Sequence, residues 1–405
     1  MSRTVVILAT LDTKAEEAAF LRDRIVALGG TALLIDLGVI GSSPIPADVS
    51  RAQVAAAGGT PLSILQEAPT RQAAAPVMVA GAIKILREWI RDGAAHAVLG
   101  LGGTQGTSSC TSVMQALPYG FPKLMVSTVA SGDTSSFVGI KDIAMLFSVS
   151  DLMGVNRFTA HILTNAAAAA YGMARSEAPV DPVTAGKPLI AVTNLGVLTE
   201  GATLAVSLLR NAGYDVVVFH AAGAGGRAME QLMKEGVVGA VFDYALGEIA
   251  DDVFDGLRAG GPERLTVAGS LGLPQVLCPG GAEHLGLFVS ANVVPDKYKD
   301  HQHVFHSPVI FVPRLNREEI IRVAEDICRR LQHTRGNAVM MLPLAGVGRY
   351  SVAGGPLHDA DSDSAFFEAI RAGLPPGIEL VEVDANAEDP AFIREAVRRL
   401  VAMLN

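Results

Sequence analysis

The sequence predicts an α/β chain of two Rossmann-like, doubly wound domains, with mainly parallel sheets and a ligand cleft between them. Three observations carry that expectation. A short apolar run, a Gly/Thr/Ser/Asp turn and a stretch of helical periodicity recur in that order along the chain, which is the pattern of successive βα units. The 405 residues exceed what one hydrophobic core usually serves. Near the middle, SEAPVDPVTAGKP (176–188) holds three prolines and no periodicity, as a linker does. The expected domains are therefore 1–178 and 188–405, joined by a linker at 179–187.

The first unit shows the pattern clearly. Thr4 to Ala9 (TVVILA) reads as a strand, Leu11-Asp12-Thr13 as its turn, and Lys14 to Leu28 as a helix whose Ala18, Leu21, Ile25 and Leu28 share a face, stopped by Gly29-Gly30. Leu33 to Leu37 is the next strand. Residues 38–72 carry Pro44, Pro46, Pro61 and Pro69 and read as an excursion, and long loops of this kind often carry function. A helix at Ala73–Arg91, strands at Ala97–Leu101, Lys123–Thr128 and Met145–Val149, and an Ala-rich helix at Arg157–Arg175 complete the first half. In the second half the strands are expected at Leu189–Thr193, Asp215–His220, Val237–Phe242, Val309–Val312, Val339–Leu342 and Glu379–Val383. Helices at about Arg317–Leu331, Ser364–Ala372 and Pro390–Met403 alternate with the last of these.

Composition narrows the function. Hydrophobic residues make up 50% and charged residues 18%, enough apolar material for sheets covered on both faces. The formal net charge of −9, with no Lys/Arg block, lacks the electrostatic footprint of a nucleic-acid binder. The N-terminal stretch turns polar too early for a signal peptide, and no apolar run reaches the roughly 18 residues of a spanning helix, so a cytoplasmic protein without membrane contact is expected. Cys110, Cys278 and Cys328 lie far apart and suggest neither a disulfide framework nor a thiolate zinc site. Low charge and Ala/Gly-rich helices leave room for a homodimer.

Four loops qualify as anion sites at strand-to-helix junctions, where backbone N–H groups and helix N-termini face a ligand. Gly100-Leu-Gly-Gly-Thr-Gln-Gly-Thr107 lets the backbone approach a phosphate and adds hydroxyl donors, or it is a tight turn required by packing; it is neither a Walker A motif nor G-x-G-x-x-G. Ser131-Gly132-Asp133-Thr134 places a carboxylate among small hydroxyl residues, suited to Mg²⁺ or a sugar hydroxyl, or to an Asx-turn. Asp12 is a helix N-cap or a ligand to substrate or metal. The fourth loop, at Gly223, Gly225 and Gly226, satisfies with Ala228 the G-x-G-x-x-A variant of a dinucleotide fingerprint, and Asp243 lies at a following strand end, though the loop follows the second strand of its domain. Separately, His301, His303 and His306, with His284 upstream, could hold a metal with Asp296 or Glu283, serve as general acid/base, or be structural.

Seven stretches in the same order resemble the Tm-one-like ATP-binding family, which is similar to the N-terminal region of the tomato mosaic virus resistance protein. They are LDTKAEE (11–17), GLGGTQGTS (100–108), TVASGDTSSFVGIKDI (128–143), DLMGVNRFTAHILTNAA (151–167), FHAAGAGGRAME (219–230), AGGPERLTVAGSLGLPQVLCPGG (259–281) and the Asp363–Ile370 region. The chain departs from the family pattern at Val197–Glu200 and at Asp243–Glu248. The resemblance implies two Rossmann-like halves and ATP binding. Nucleotide contacts are then expected at Gly102, Gly103, Thr104, Gly106, Thr107, Ser131, Gly132, Asp133 and Thr134, with Gly223, Gly225 and Gly226 as a second anion site facing them. Mg²⁺ would sit on Asp133, and Asp133, His301 or Asp12 would carry chemistry on a small anionic metabolite. Two other readings stay open: a metal-assisted hydrolase or lyase on a carbonyl or carboxylate substrate using the histidine cluster, and a nucleotide-regulated binding module without turnover.

Overall fold

A computed structural model describes residues 2–67, 70–177 and 186–405. The chain divides into two compact units, Met1–Pro179 and Val180–Asn405. Most of the expected linker at 179–187 lies outside the described residues.

The N-terminal unit runs β1 (Thr4–Ala9), α1 (Ala15–Ala27), β2 (Thr31–Asp36), α2 (Arg51–Ala57), α3 (Leu62–Glu67), α4 (Arg71–Arg91), β3 (Ala97–Gly102), α5 (Thr104–Gln115), β4 (Lys123–Ser127), α6 (Ser135–Val138), β5 (Ala144–Phe147) and α7 (Arg157–Ala174). Its five strands pair in parallel in the order β2-β1-β3-β4-β5. Alternation along β1 explains the two-sided burial: Val5, Ile7 and Ala9 pack with α1 and α7, whereas Val6 and Leu8 pack with α2, α4 and α5. The proline-rich excursion is more ordered than expected. Ser50 accepts from Gln53 N while the Gln53 side chain reaches back to Ser50 N, a capping box that starts α2.

The C-terminal unit runs β6 (Leu189–Asn194), α8 (Thr199–Asn211), β7 (Val216–His220), α9 (Ala224–Lys234), β8 (Val238–Ala245), α10 (Gly247–Val253), α11 (Val267–Leu271), β9 (Gln275–Gly280), β10 (Leu287–Phe288), β11 (His303–Ser307), β12 (Ile310–Pro313), α12 (Arg317–Arg330), β13 (Ala338–Pro343), α13 (Ala360–Gly373), β14 (Glu379–Val383) and α14 (Pro390–Leu404). Six of these strands form a parallel sheet, β14-β13-β9-β8-β6-β7.

One expectation is corrected here and one strand is added. The strand expected at Val309–Val312 does not join the parallel sheet; as β12 it is the middle strand of a separate antiparallel sheet, β10-β12-β11. Its place in the parallel sheet is taken by β9, whose short run QVLCPG contains Pro279. Proline cannot donate to the ladder, and the pairing of β8 with β9 shifts register just there, between Leu277 and Gly280. No described helix is long and apolar enough to cross a membrane.

Candidate functional site

In the N-terminal sheet the chain proceeds outward from β1 to β2, then returns across β1 to β3. α1, which follows β1, and α5, which follows β3, consequently pack on opposite faces. The loops beyond the carboxyl ends of β1 and β3 part, and a parallel sheet opens a crevice at such a switch point. A cavity of about 530 Å³ lies there, within the ~300–1,000 Å³ typical of small-molecule sites. One wall is polar, from Thr10, Asp12, Thr13 and Lys14 after β1 and Gly102–Gly106 after β3. The other is apolar, from Leu37, Val39 and Ile40 after β2 and Ala74, Ala75 and Met78 of α4.

The three glycines after β3 do different jobs. A Cβ on Gly102 would lie 2.7 Å from Gly106 Cα, so glycine is needed at 102 for the backbone to turn this tightly, whereas a Cβ on Gly106 would meet only the Leu101 carbonyl at 3.4 Å. Gly103 is the N-cap of α5 and offers no capping side chain, and a Cβ there would meet only Thr128 Oγ1 at 3.7 Å. The first-turn N–H groups of Thr104, Gln105 and Gly106 are thereby left facing the cavity, at the positive end of a twelve-residue helix. Thr107 lies beneath the loop instead. It is fully buried, and its hydroxyl is 2.7 Å from Ser127 Oγ, where it ties β4 to α5.

A buried ion pair holds the loops after β1 and β2. Asp36 Oδ1 accepts from Leu11 N (3.0 Å) and Gly38 N (2.8 Å), and Oδ2 accepts from Arg51 Nε at 2.8 Å. Arg51 Nη1 then donates to the carbonyls of Ile40 and Gly41. Asp12 does not cap α1, whose N-cap is Lys14 without a side-chain bond. Its buried Oδ1 has no hydrogen-bond partner among the described residues, and neither has Arg51 Nη2; both lie about the same 3.1 Å from where a Gly38 Cβ would stand. Lys14 Nζ, also in the lining, donates to the carbonyl of Leu152. Sequence reasoning missed Asp36 and Arg51. The only available signal was an acidic residue at a strand end followed by a proline-rich excursion.

Ser131, Gly132, Asp133 and Thr134 are not brought into this lining. They sit in the loop after β4, beside the Gly102 turn, to which Thr128 N donates. Asp133 is exposed, and its Oδ1 accepts from Ser135 N at 2.9 Å, the bond that holds its carboxyl below the usual range. The Asx-turn alternative describes this geometry.

In the C-terminal unit the loop at Gly223, Gly225 and Gly226 is filled from within. Gly223 N (2.6 Å) and Gly226 N (3.1 Å) donate to Glu248 Oε1. A Cβ on Gly226 would lie 2.1 Å from Glu248 Oε2, so glycine is required here to admit the chain's own carboxylate. Glu248 pairs with Arg264 Nε at 2.6 Å, and Arg264 also holds both oxygens of Asp243, at 2.5 and 2.6 Å. Asp243, the fingerprint's ribose acceptor, is thus buried and committed, and the expectation of a second ligand anion at these glycines is corrected: the anion is Glu248.

The histidines do not converge. His301 Nε2 lies 3.0 Å from Glu319 Oε2 and its ring meets Tyr298 edge-on, while His303 Nδ1 contacts the His301 carbonyl. Among the described residues no group of three His, Cys, Asp or Glu side chains is placed to hold a metal ion. All three cysteines are buried and free, and burial pushes the Cys110 thiol up to about 12, away from reactivity.

Fold and site together define a two-domain, mainly parallel α/β protein with a crevice at the switch point of its N-terminal sheet. Residues 3–179 match the N-terminal domain, and residues 187–404 the C-terminal domain, of the uncharacterised protein family UPF0261. The chain belongs to that family. A UPF0261 protein of Clostridium tetani is 36% identical over 405 residues, covering all of both chains. One from Mesorhizobium japonicum is 34% identical over 394 residues, 97% of each chain. The ToMV resistance protein Tm-1(GCR237) of Solanum lycopersicum is 33% identical over 277 residues, which is 68% of this chain and 37% of that protein.

Proposed function

We propose that the switch-point crevice of the N-terminal unit binds a nucleotide, ATP before others. The observation that carries this reading is the uncapped N-terminus of α5 opening into a cavity whose opposite wall is apolar. Phosphate oxygens suit the N–H groups of Thr104, Gln105 and Gly106, and a base suits the Val39, Ile40 and Met78 wall. Asp12, with an unused buried oxygen, suits a ribose hydroxyl or the Mg²⁺ that accompanies the phosphates. The likeness to the Tm-1 resistance protein supports the same reading.

Whether nucleotide is consumed turns on the lining. Its ionisable groups are Asp12 and Lys14, and the Lys14 ammonium is engaged by the Leu152 carbonyl, which leaves Asp12 alone to move a proton. Binding that regulates or assembles, without turnover, is the second reading this sparse lining favours.

The thermal midpoint of the purified protein with and without Mg·ATP, with NAD⁺ as control, tests the proposal. At a hundredfold excess over Kd, binding adds about 2.7 kcal/mol, or roughly 5–10 °C for a unit of this size. A rise with ATP and none with NAD⁺ is expected. No rise with ATP sinks the nucleotide reading, and steady ATP consumption by the same preparation sinks the binder-only version.

A further inference from the structure

We propose that the C-terminal unit has a separate, buried site, built on Glu283 and Arg314, for a small carboxylic acid that carries a hydroxyl or ammonium donor beside its carboxylate. It is independent of the nucleotide reading, since it uses other residues on another sheet.

Its place is where parallel sheets put ligands. Glu283 and His284 follow the carboxyl end of β9, Gly348 follows β13, and Val197 follows β6. A Cβ on Gly348 would stand 3.3 Å from the Val197 side chain and 3.4 Å from Glu283 Oε1, so these three loop ends meet over the carboxylate. Leu315 N donates to the Glu283 carbonyl and brings Arg314 alongside.

The polar groups there are buried and unsatisfied. Glu283 is fully buried and Arg314 is 2% exposed. Neither oxygen of Glu283 has a hydrogen-bond partner among the described residues, nor have Arg314 Nε and Nη1. Arg314 is held in place through its remaining nitrogen, Nη2, which donates to Asp363 Oδ1 at 2.6 Å. His284 has its Nε2 3.3 Å from Arg258 Nη1 and its Nδ1 3.2 Å from Glu283 Oε1. Against the push of burial, His284 and Arg314 together hold the Glu283 carboxyl below the usual range.

A buried carboxylate and guanidinium left open in this way cost stability unless something bonds to them. Glu283 asks for donors and Arg314 for acceptors. One molecule answers both if it carries an O–H or N–H beside a carboxylate. The glycine-rich segment 344–357 lies over the site, with Val347 O accepting from Gly281 N and Arg349 N donating to Val197 O.

The test uses three acids on one carbon skeleton: racemic lactate, racemic alanine and propionate, each at matched ionic strength, with unfolding of the full chain as the readout. A rise in midpoint with lactate or alanine and none with propionate is expected, and Glu283→Gln is expected to weaken that response at least roughly tenfold. An equal rise with propionate shows an adventitious anion only. That result, no rise with any of the three acids, or an undiminished response of Glu283→Gln overturns the proposal.

Discussion

The two parallel sheets share a strand order, yet their glycine loops serve opposite ends. Numbered within each unit, both sheets run 2-1-3-4-5, the second adding a sixth strand at the same edge. In the N-terminal unit the Gly102–Gly106 turn leaves N–H groups facing a cavity. In the C-terminal unit the Gly223–Gly226 turn spends them on Glu248. Glycine allows a backbone to approach an anion; whether that anion is a ligand or the protein's own side chain is decided by what the following strand delivers. After β8 it delivers a glutamate anchored by Arg264.

The largest effect is therefore expected at Arg264, the cation on which the filled loop depends. It is fully buried and faces Glu230, Asp243 and Glu248. Arg264→Met leaves three carboxylates without a cation and is expected to cost at least about 3–5 kcal/mol. Urea unfolding measures it, and a loss below about 1 kcal/mol would mean the network is not what holds the loop. Next comes Gly226→Ala, which drives a methyl into Glu248 and is expected to cost about 1–3 kcal/mol by overpacking.

How far the sequence reached follows the same line. The βα periodicity gave the strands of both sheets except β9, because Val, Leu and Ile runs with turn residues between them report burial directly. β9 escaped because only Val276, Leu277 and Cys278 form an apolar run before Pro279, which reads as a break. For the site, Gly102, Gly103, Thr104, Gly106 and Asp12 were legible as a loop that can hold an anion and a carboxylate near it. Arg51 was not, since its partner Asp36 is fifteen residues away and only the fold joins them. Glu248 was equally hidden: no local pattern says that a carboxylate twenty-five residues past Gly223 returns to fill its N–H groups.

A smaller effect is expected in the pH dependence of the filled loop. Burial pushes the Glu230 carboxyl up to about 7, against the pull of Arg264 and with a further push from the Asp243 carboxylate. With the folded value above the unfolded one, near 4.5, the native state holds the extra proton in that window. Stability from this group is present below about pH 4.5 and is lost as pH rises through 7. The difference in unfolding free energy between wild type and Glu230→Gln, followed from pH 4.5 to 8, should fall by something on the order of 1 kcal/mol. A flat difference places the shared proton elsewhere in the network.

The smallest stability change is expected where the loop is open. Gly103 has φ −76°, within the range any residue adopts, and a Cβ would meet nothing closer than 3.7 Å. Gly103→Ala should therefore shift the unfolding free energy by less than about 1 kcal/mol, the cost of alanine at an N-cap, and, by adding a methyl next to the first N–H groups of α5, is expected to reduce the midpoint rise produced by Mg·ATP. The pairing of outcomes is what matters. A glycine kept for packing loses stability and leaves ligand response untouched, as Gly226 is expected to do; a glycine kept for a ligand does the reverse. If Gly103→Ala unfolds early and binds ATP as wild type does, both loops are packing devices and the contrast between the two units disappears.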